Sequence, residues 1–173
     1  NNMGKRVLPT STKGRDNVAQ IHTEYLNIEI TEVDFKEKSF DAVILIEVLE
    51  HLPKGDGEQI LEKAERWAKK KVVISTPNGF FQIDELDNNP FQKHLSGWTL
   101  KEIHGRGYKC KGMAGLKLLR RGVKQDTMGD DLVASIKYCP KNLWFLVSSI
   151  SQILVYYFPS LAFELFSVKE VAK

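Results

Sequence analysis

Cysteine is scarce in this chain: Cys110 and Cys139 are the whole complement. Two thiols make neither a disulfide framework nor a metal-ligand spacing, so no metal is expected and a reduced cytosolic setting fits. Each reads as a small apolar filler. Charge of one sign is also lacking. The formal net charge is +3, and the basic residues fall in short clusters beside acids, which argues against nucleic acid as a partner. A glycine-rich phosphate loop is absent. Gly4, Gly14, Gly55, Gly57 and Gly79 never produce the pattern acid-x-Gly-x-Gly-x-Gly, which brings backbone N–H groups against a nucleotide at a helix N-terminus. Residues 1–15 are polar and basic and do not read as a signal peptide. The longest apolar stretch, 143–163, is interrupted by Ser148, Ser149, Ser151, Gln152, Pro159 and Ser160, which argues against a bilayer span despite its length.

What remains is ordinary globular material. The 173 residues are 42% hydrophobic and 27% charged, enough for one domain with its own core. Residues 40–46 are apolar on consecutive positions, as in a strand covered on both faces. A helix is expected over 57–70, capped by Asp56, with Ile60, Leu61, Ala64, Trp67 and Ala68 inward and Lys69, Lys70 and Lys71 closing it. A second buried strand, 71–76, ends at Pro77-Asn78-Gly79. Strand, helix and strand make one right-handed crossover unit. A shorter strand reads over 24–30. The long connection 79–97 carries Phe80, Phe81, Phe91 and His94, with Trp98 at its end, and is too aromatic for a linker. Thr99 caps a short helix through His104, ended by Gly105 and Gly107. Strands are expected over 108–113 and 163–171. In 142–158, Leu143, Leu146, Val147, Ile150, Ile153, Leu154 and Tyr157 recur at helical spacing. A core-packing helix is expected there, with a membrane-surface helix as the alternative.

The run Ser39-Phe-Asp-Ala-Val-Ile-Leu-Ile-Glu-Val-Leu-Glu-His-Leu52 resembles the fourth strand and following loop of class I S-adenosylmethionine-dependent methyltransferases. Ser75-Thr-Pro-Asn-Gly79 resembles the exit of the fifth strand. Asn89-Pro-Phe-Gln-Lys-His-Leu-Ser-Gly-Trp98 resembles the loop that covers the acceptor pocket in small-molecule members. The likeness runs from about His22 to about Val171. It implies an α/β, Rossmann-like fold with a mostly parallel sheet and antiparallel final strands. It also implies an irregular segment over 1–20 and a methyltransferase-like domain over 21–173.

The same resemblance implies roles. Glu29, with Ile30 beside it, would meet the adenine of S-adenosylmethionine. Ile46, Glu47 and Val48 would lie along its methionyl part. His51 would act as a base or orient a carboxylate, and His94 would accept a proton from a small-molecule acceptor held by Asn78, His94 and Trp98. Methyl transfer is chiefly positioning, so neither a protein nucleophile nor a metal is required. Plainer roles stay open: His51 as a packing or capping residue, His94 as a cap and Trp98 as a helix anchor.

The family's glycine loop and its second-strand acid have no counterpart here. Only about twenty residues precede the third strand, too few for two strands and two helices. The expectation is that upstream sequence has been lost or that 1–20 replaces it. The chain should then expose a sheet edge, or pair that edge with 1–20 or with a second copy as a homodimer. Cofactor binding should be weak or absent. Two alternatives to the enzyme follow: a non-catalytic methyltransferase-like interaction module, or a cytoplasmic protein held peripherally on a membrane surface through 142–158.

Overall fold

The computed structural model describes residues 26–83, 90–121 and 135–171. The chain divides into two units, 1–34 and 35–173. In the first, the described backbone forms turns, with the Glu32 N–H donating to the Glu29 carbonyl at 3.0 Å and the Val33 N–H to the Ile30 carbonyl at 3.3 Å. The strand expected over 24–30 is therefore not formed from residue 26 onward. Its alternation was only partial, and local turn bonds satisfy the backbone instead.

The second unit holds a four-stranded sheet. Its strands are β1 (Phe40–Ile46), β2 (Ala68–Pro77), β3 (Lys109–Leu116) and β4 (Ala162–Glu170), in the order β1-β2-β4-β3. β1 and β2 are parallel, with Val43 opposite Val72 and Ile46 opposite Ser75. They are joined by α1 (Lys54–Trp67), which buries Ile60, Leu61, Ala64 and Trp67. The final strands are antiparallel, β4 lying between β2 and β3. This is the mixed α/β, partial Rossmann-like arrangement expected from the sequence. α1 starts and stops three residues earlier than its pattern suggests. Pro53, not Asp56, is the N-cap, and the lysines expected to close the helix lie in exposed extended chain at the start of β2. Lys70 there pairs with Asp41 at 3.0 Å, an exposed bridge worth little.

β1 departs from the expectation of a strand buried on both faces. Leu45 is buried, but Phe40, Ile44 and Ile46 are exposed. The reason is its place at the edge: among the described residues, only β2 pairs with it.

The Thr99 cap is present as a full capping box before α2 (Leu100–Gly105). The Glu102 N–H donates to Thr99 Oγ1 at 3.3 Å, the Thr99 N–H donates to Glu102 Oε2 at 2.8 Å, and Lys54 pairs with Glu102 at 2.8 Å. Burial acts to raise the Glu102 carboxyl, but Lys54 and the Thr99 donors outweigh it and bring it down to about 2. A lowered folded-state pKa adds stability above the ordinary value that is lost as pH falls toward 2. Acid unfolding followed by circular dichroism should therefore show Glu102→Gln and the parent converging at low pH, with the parent the more stable near neutrality.

The stretch expected as one core-packing helix over 142–158 is two helices, α3 (Lys141–Ile150) and α4 (Gln152–Tyr157), meeting at Ser151. Their orientation is the reverse of the expectation. Leu143, Leu146, Val147, Ile150, Ile153, Leu154 and Tyr157 all face solvent, while Ser148 is fully buried. The cause lies in β3. Its pairing with β4 breaks between Met113 and Leu116, where Ala114 and Gly115 take φ of 59° and 74°. Backbone groups freed there need partners. The Leu116 N–H donates to Ser151 Oγ at 3.0 Å, the Gly115 N–H to Gln152 Oε1 at 3.3 Å, and Gln152 Nε2 donates to the Gly112 carbonyl at 3.0 Å. Arg120 donates to Ser148 Oγ and to the Ala114 carbonyl. Gly112 and Gly115 let the helices approach this closely: an added Cβ would stand 2.2 Å from the Val155 carbonyl oxygen and 2.3 Å from that of Ser148.

Candidate active site at the carboxyl ends of β1 and β2

In a sheet of this kind ligands sit beyond the carboxyl ends of the parallel strands. β1 ends there in a sharp turn. Glu47 takes φ of +50°, a conformation that costs a side-chain-bearing residue energy and needs support. The support comes from β2. The Glu47 N–H donates to the Ser75 carbonyl at 3.2 Å, and Ser75 Oγ donates to Glu47 Oε1 at 2.6 Å. One turn of 3-10 helix, Leu49–His51, follows. It directs Glu50 inward, only 1% exposed, where Thr76 Oγ1 donates to Oε2 at 3.2 Å. The second carboxylate oxygen, Oε1, is buried without a hydrogen-bond partner.

The connection before α2 is fastened to this turn. The Glu50 carbonyl accepts from the Leu95 and Ser96 N–H groups at 2.8 and 3.0 Å, and Ser96 Oγ donates to the Leu49 carbonyl at 3.0 Å. These bonds bring His94 against His51, edge to face with ring centroids 4.9 Å apart. Each ring uses Nδ1 on a backbone carbonyl: His51 on Lys93 at 3.2 Å, His94 on Phe81 at 2.8 Å. Glu164 of β4, opposite Pro77, adds a third carboxylate beside Glu47.

The acids are crowded. Burial, then the charge of Glu47, pushes Glu50 up to about 8. Burial and the same neighbour push Glu164 up to about 7, against the opposing pull of Arg120. Burial, followed by His51, holds His94 below the ordinary imidazole range. The site thus offers the His94 imidazole, disfavoured as a cation, beside carboxylates with raised proton affinity.

Of the residues expected from the sequence, the structure brings together Ile46, Glu47, Val48, His51 and His94. Glu29 and Ile30 belong to the other unit. Asn78 and Trp98 are buried, at 5% and 0% exposure. Asn78 Nδ2 donates to the Ala162 carbonyl at 3.1 Å and its Oδ1 accepts from the Leu100 N–H at 3.2 Å, so its amide clamps β4 to α2. Asn78 also borders a cleft of about 1010 Å³ lined by Leu100, Lys111, Tyr156 and Tyr157. Sequence reasoning gave no role to Glu50, Ser75, Thr76 or Glu164. The first three stood inside recognised runs. Glu164 showed only as an acid between Phe163 and Leu165, the first acid after Asp131.

A strand–helix–strand unit, antiparallel closing strands and acids gathered at the parallel strand ends define a Rossmann-like methyltransferase class. Residues 6–75 match the family model described as a methyltransferase domain. No curated protein matches the chain.

Proposed function

We propose that the chain takes part in methyl transfer from S-adenosylmethionine to a small-molecule acceptor. The observation that carries this reading is the cluster of Glu47, Glu50, His51 and His94 at the carboxyl ends of β1 and β2. The described residues fit one wall of a cofactor pocket. Ile46 is half exposed at the end of β1, where among the described residues only β2 pairs with the strand, and an apolar surface there suits the methylene chain of the methionyl part. Ile46, Glu47 and Val48 would hold the methionyl part. When bound, the cofactor supplies the methyl group as a sulfonium. His94, kept neutral by burial, and His51 are placed to take a proton from the acceptor.

Calorimetry with S-adenosylhomocysteine tests the reading. Weak but saturable binding is expected, because the sequence lacks the acid-x-Gly-x-Gly-x-Gly pattern that brings backbone against such a ligand. No heat at millimolar ligand would discard the cofactor reading and favour a non-catalytic interaction module.

A second reading, docking on a membrane surface, is favoured by the outward apolar face of α3 and α4. Among the described residues no helix is long and apolar enough to cross a bilayer, so the face would lie along the interface. Residues 132–163 contain no Asp or Glu. Lys137 precedes the helices, Lys141 opens α3, and Lys111 stands 4.3 Å from the Tyr156 ring centroid. An apolar face with tyrosines and the Lys111 ammonium beside it is complementary to lipid carrying anionic headgroups.

A further inference from the structure

Glu50, His51 and His94 have a feature that proton transfer does not require. One potential ligand atom from each lies within 4.8 Å of the others. The two Nδ1 atoms face backbone carbonyls, and a carbonyl oxygen only accepts. Each Nδ1 therefore carries the hydrogen, and each Nε2 bears a lone pair. This is the arrangement that orients a metal-ligating imidazole: one nitrogen tied to a carbonyl, the other free to donate electrons. The third donor is a carboxylate whose residue is only 1% exposed and whose Oε1 has no partner. A buried carboxyl oxygen without a partner is costly unless a proton or a cation meets it. Glu47 stands close enough for its charge to act on both Glu50 and His94. It lies on the exposed side, where a fourth oxygen or an incoming ligand would complete the shell.

We propose that Glu50, His51 and His94 form a binding site for a divalent transition-metal ion, with Glu47 at its open side. Two imidazole nitrogens and carboxylate oxygen suit zinc, manganese, iron or cobalt better than calcium or magnesium. Metal–ligand distances of about 2.0–2.2 Å require the three donors to draw in slightly from their present spacing. In the metal-free protein the rings remain proton acceptors; with the ion bound they are ligands. The sequence alone pointed to no metal, because His94 is joined to the others only through the bonds of Leu95 and Ser96 to the Glu50 carbonyl.

The site stands whether or not the chain transfers methyl groups, and its test needs no activity. Metal-free full-length chain is titrated with Co²⁺, followed by visible absorption, and with Zn²⁺ against a chromophoric chelator. One equivalent per chain is expected, with the Co²⁺ spectrum of a mixed nitrogen and oxygen site and a rise in melting temperature on adding Zn²⁺. His51→Ala and His94→Ala should each weaken Zn²⁺ by at least about tenfold, while His104→Ala leaves it unchanged. His51 is only half buried, so its variant retains the fold and decides the case should His94→Ala not fold. Absence of stoichiometric binding, or equal affinity in His51→Ala and the parent, overturns the proposal.

Discussion

Replacing Trp98 by alanine is expected to lower the unfolding free energy by about 3–5 kcal/mol, the range for removing a large buried aromatic. Trp98 is fully buried. Its ring lies against Gly57 of α1 so closely that an added Cβ there would stand 2.6 Å away. The Lys54 ammonium is 3.6 Å from a Trp98 ring centroid, and the Trp98 carbonyl accepts from the Gly79 N–H at 2.8 Å. The ring thus packs on α1, while the backbone of the same residue holds the exit of β2. Truncation leaves a cavity at this junction, and the loop carrying His94 loses its far anchor. Urea denaturation followed by circular dichroism measures the effect. Trp98→Phe should recover a large part of the loss, since most of the volume is restored. A cost below about 1 kcal/mol for the alanine variant would show that the ring is not the packing element described.

Charging the outward face of α3 and α4 is expected to abolish vesicle binding while leaving the fold intact. Leu146, Ile150 and Ile153 are 56%, 65% and 74% exposed, so replacing them by glutamate removes little packing and should change stability by less than about 0.5 kcal/mol each. Each large apolar side chain inserted into lipid contributes about 1.5–3 kcal/mol. Losing three, and adding negative charge against anionic headgroups, should reduce partitioning more than a hundredfold. Flotation with phosphatidylcholine vesicles containing phosphatidylserine is the measurement, with sedimentation run in parallel. Parent chain that floats and a triple variant that does not would support docking. Parent chain that stays at the bottom and sediments as a dimer dispersed by the same substitutions would assign the face to a second copy.

The two candidate surfaces were legible to different degrees. The Asp41-to-His51 run could be placed at a strand end because consecutive apolar residues followed by acids have few other structural solutions. Pro77 marked where β2 stops, and Thr99 marked the start of α2. The pairing of Ser75 with Glu47, and of Thr76 with Glu50, could not be read, because it depends on the parallel register of β1 and β2. Nor could the meeting of His51 and His94, which rests on hydrogen bonds from two backbone N–H groups to the Glu50 carbonyl.

The 142–158 stretch separates the two kinds of information most clearly. Periodicity alone determined that Leu143, Leu146, Val147, Ile150, Ile153, Leu154 and Tyr157 share one helical face, since 3.6 residues per turn is a property of the backbone. Which face turns inward was decided by tertiary structure. Hydrophobic burial is non-directional and would be served by any apolar neighbour. Unpaired backbone groups at the irregular end of β3 require donors and acceptors at fixed positions, and Ser148, Ser151 and Gln152 supply them. Leaving such groups unsatisfied in the interior costs about 1–3 kcal/mol each, so the polar side of the helices is drawn to β3 and the apolar side is left facing out.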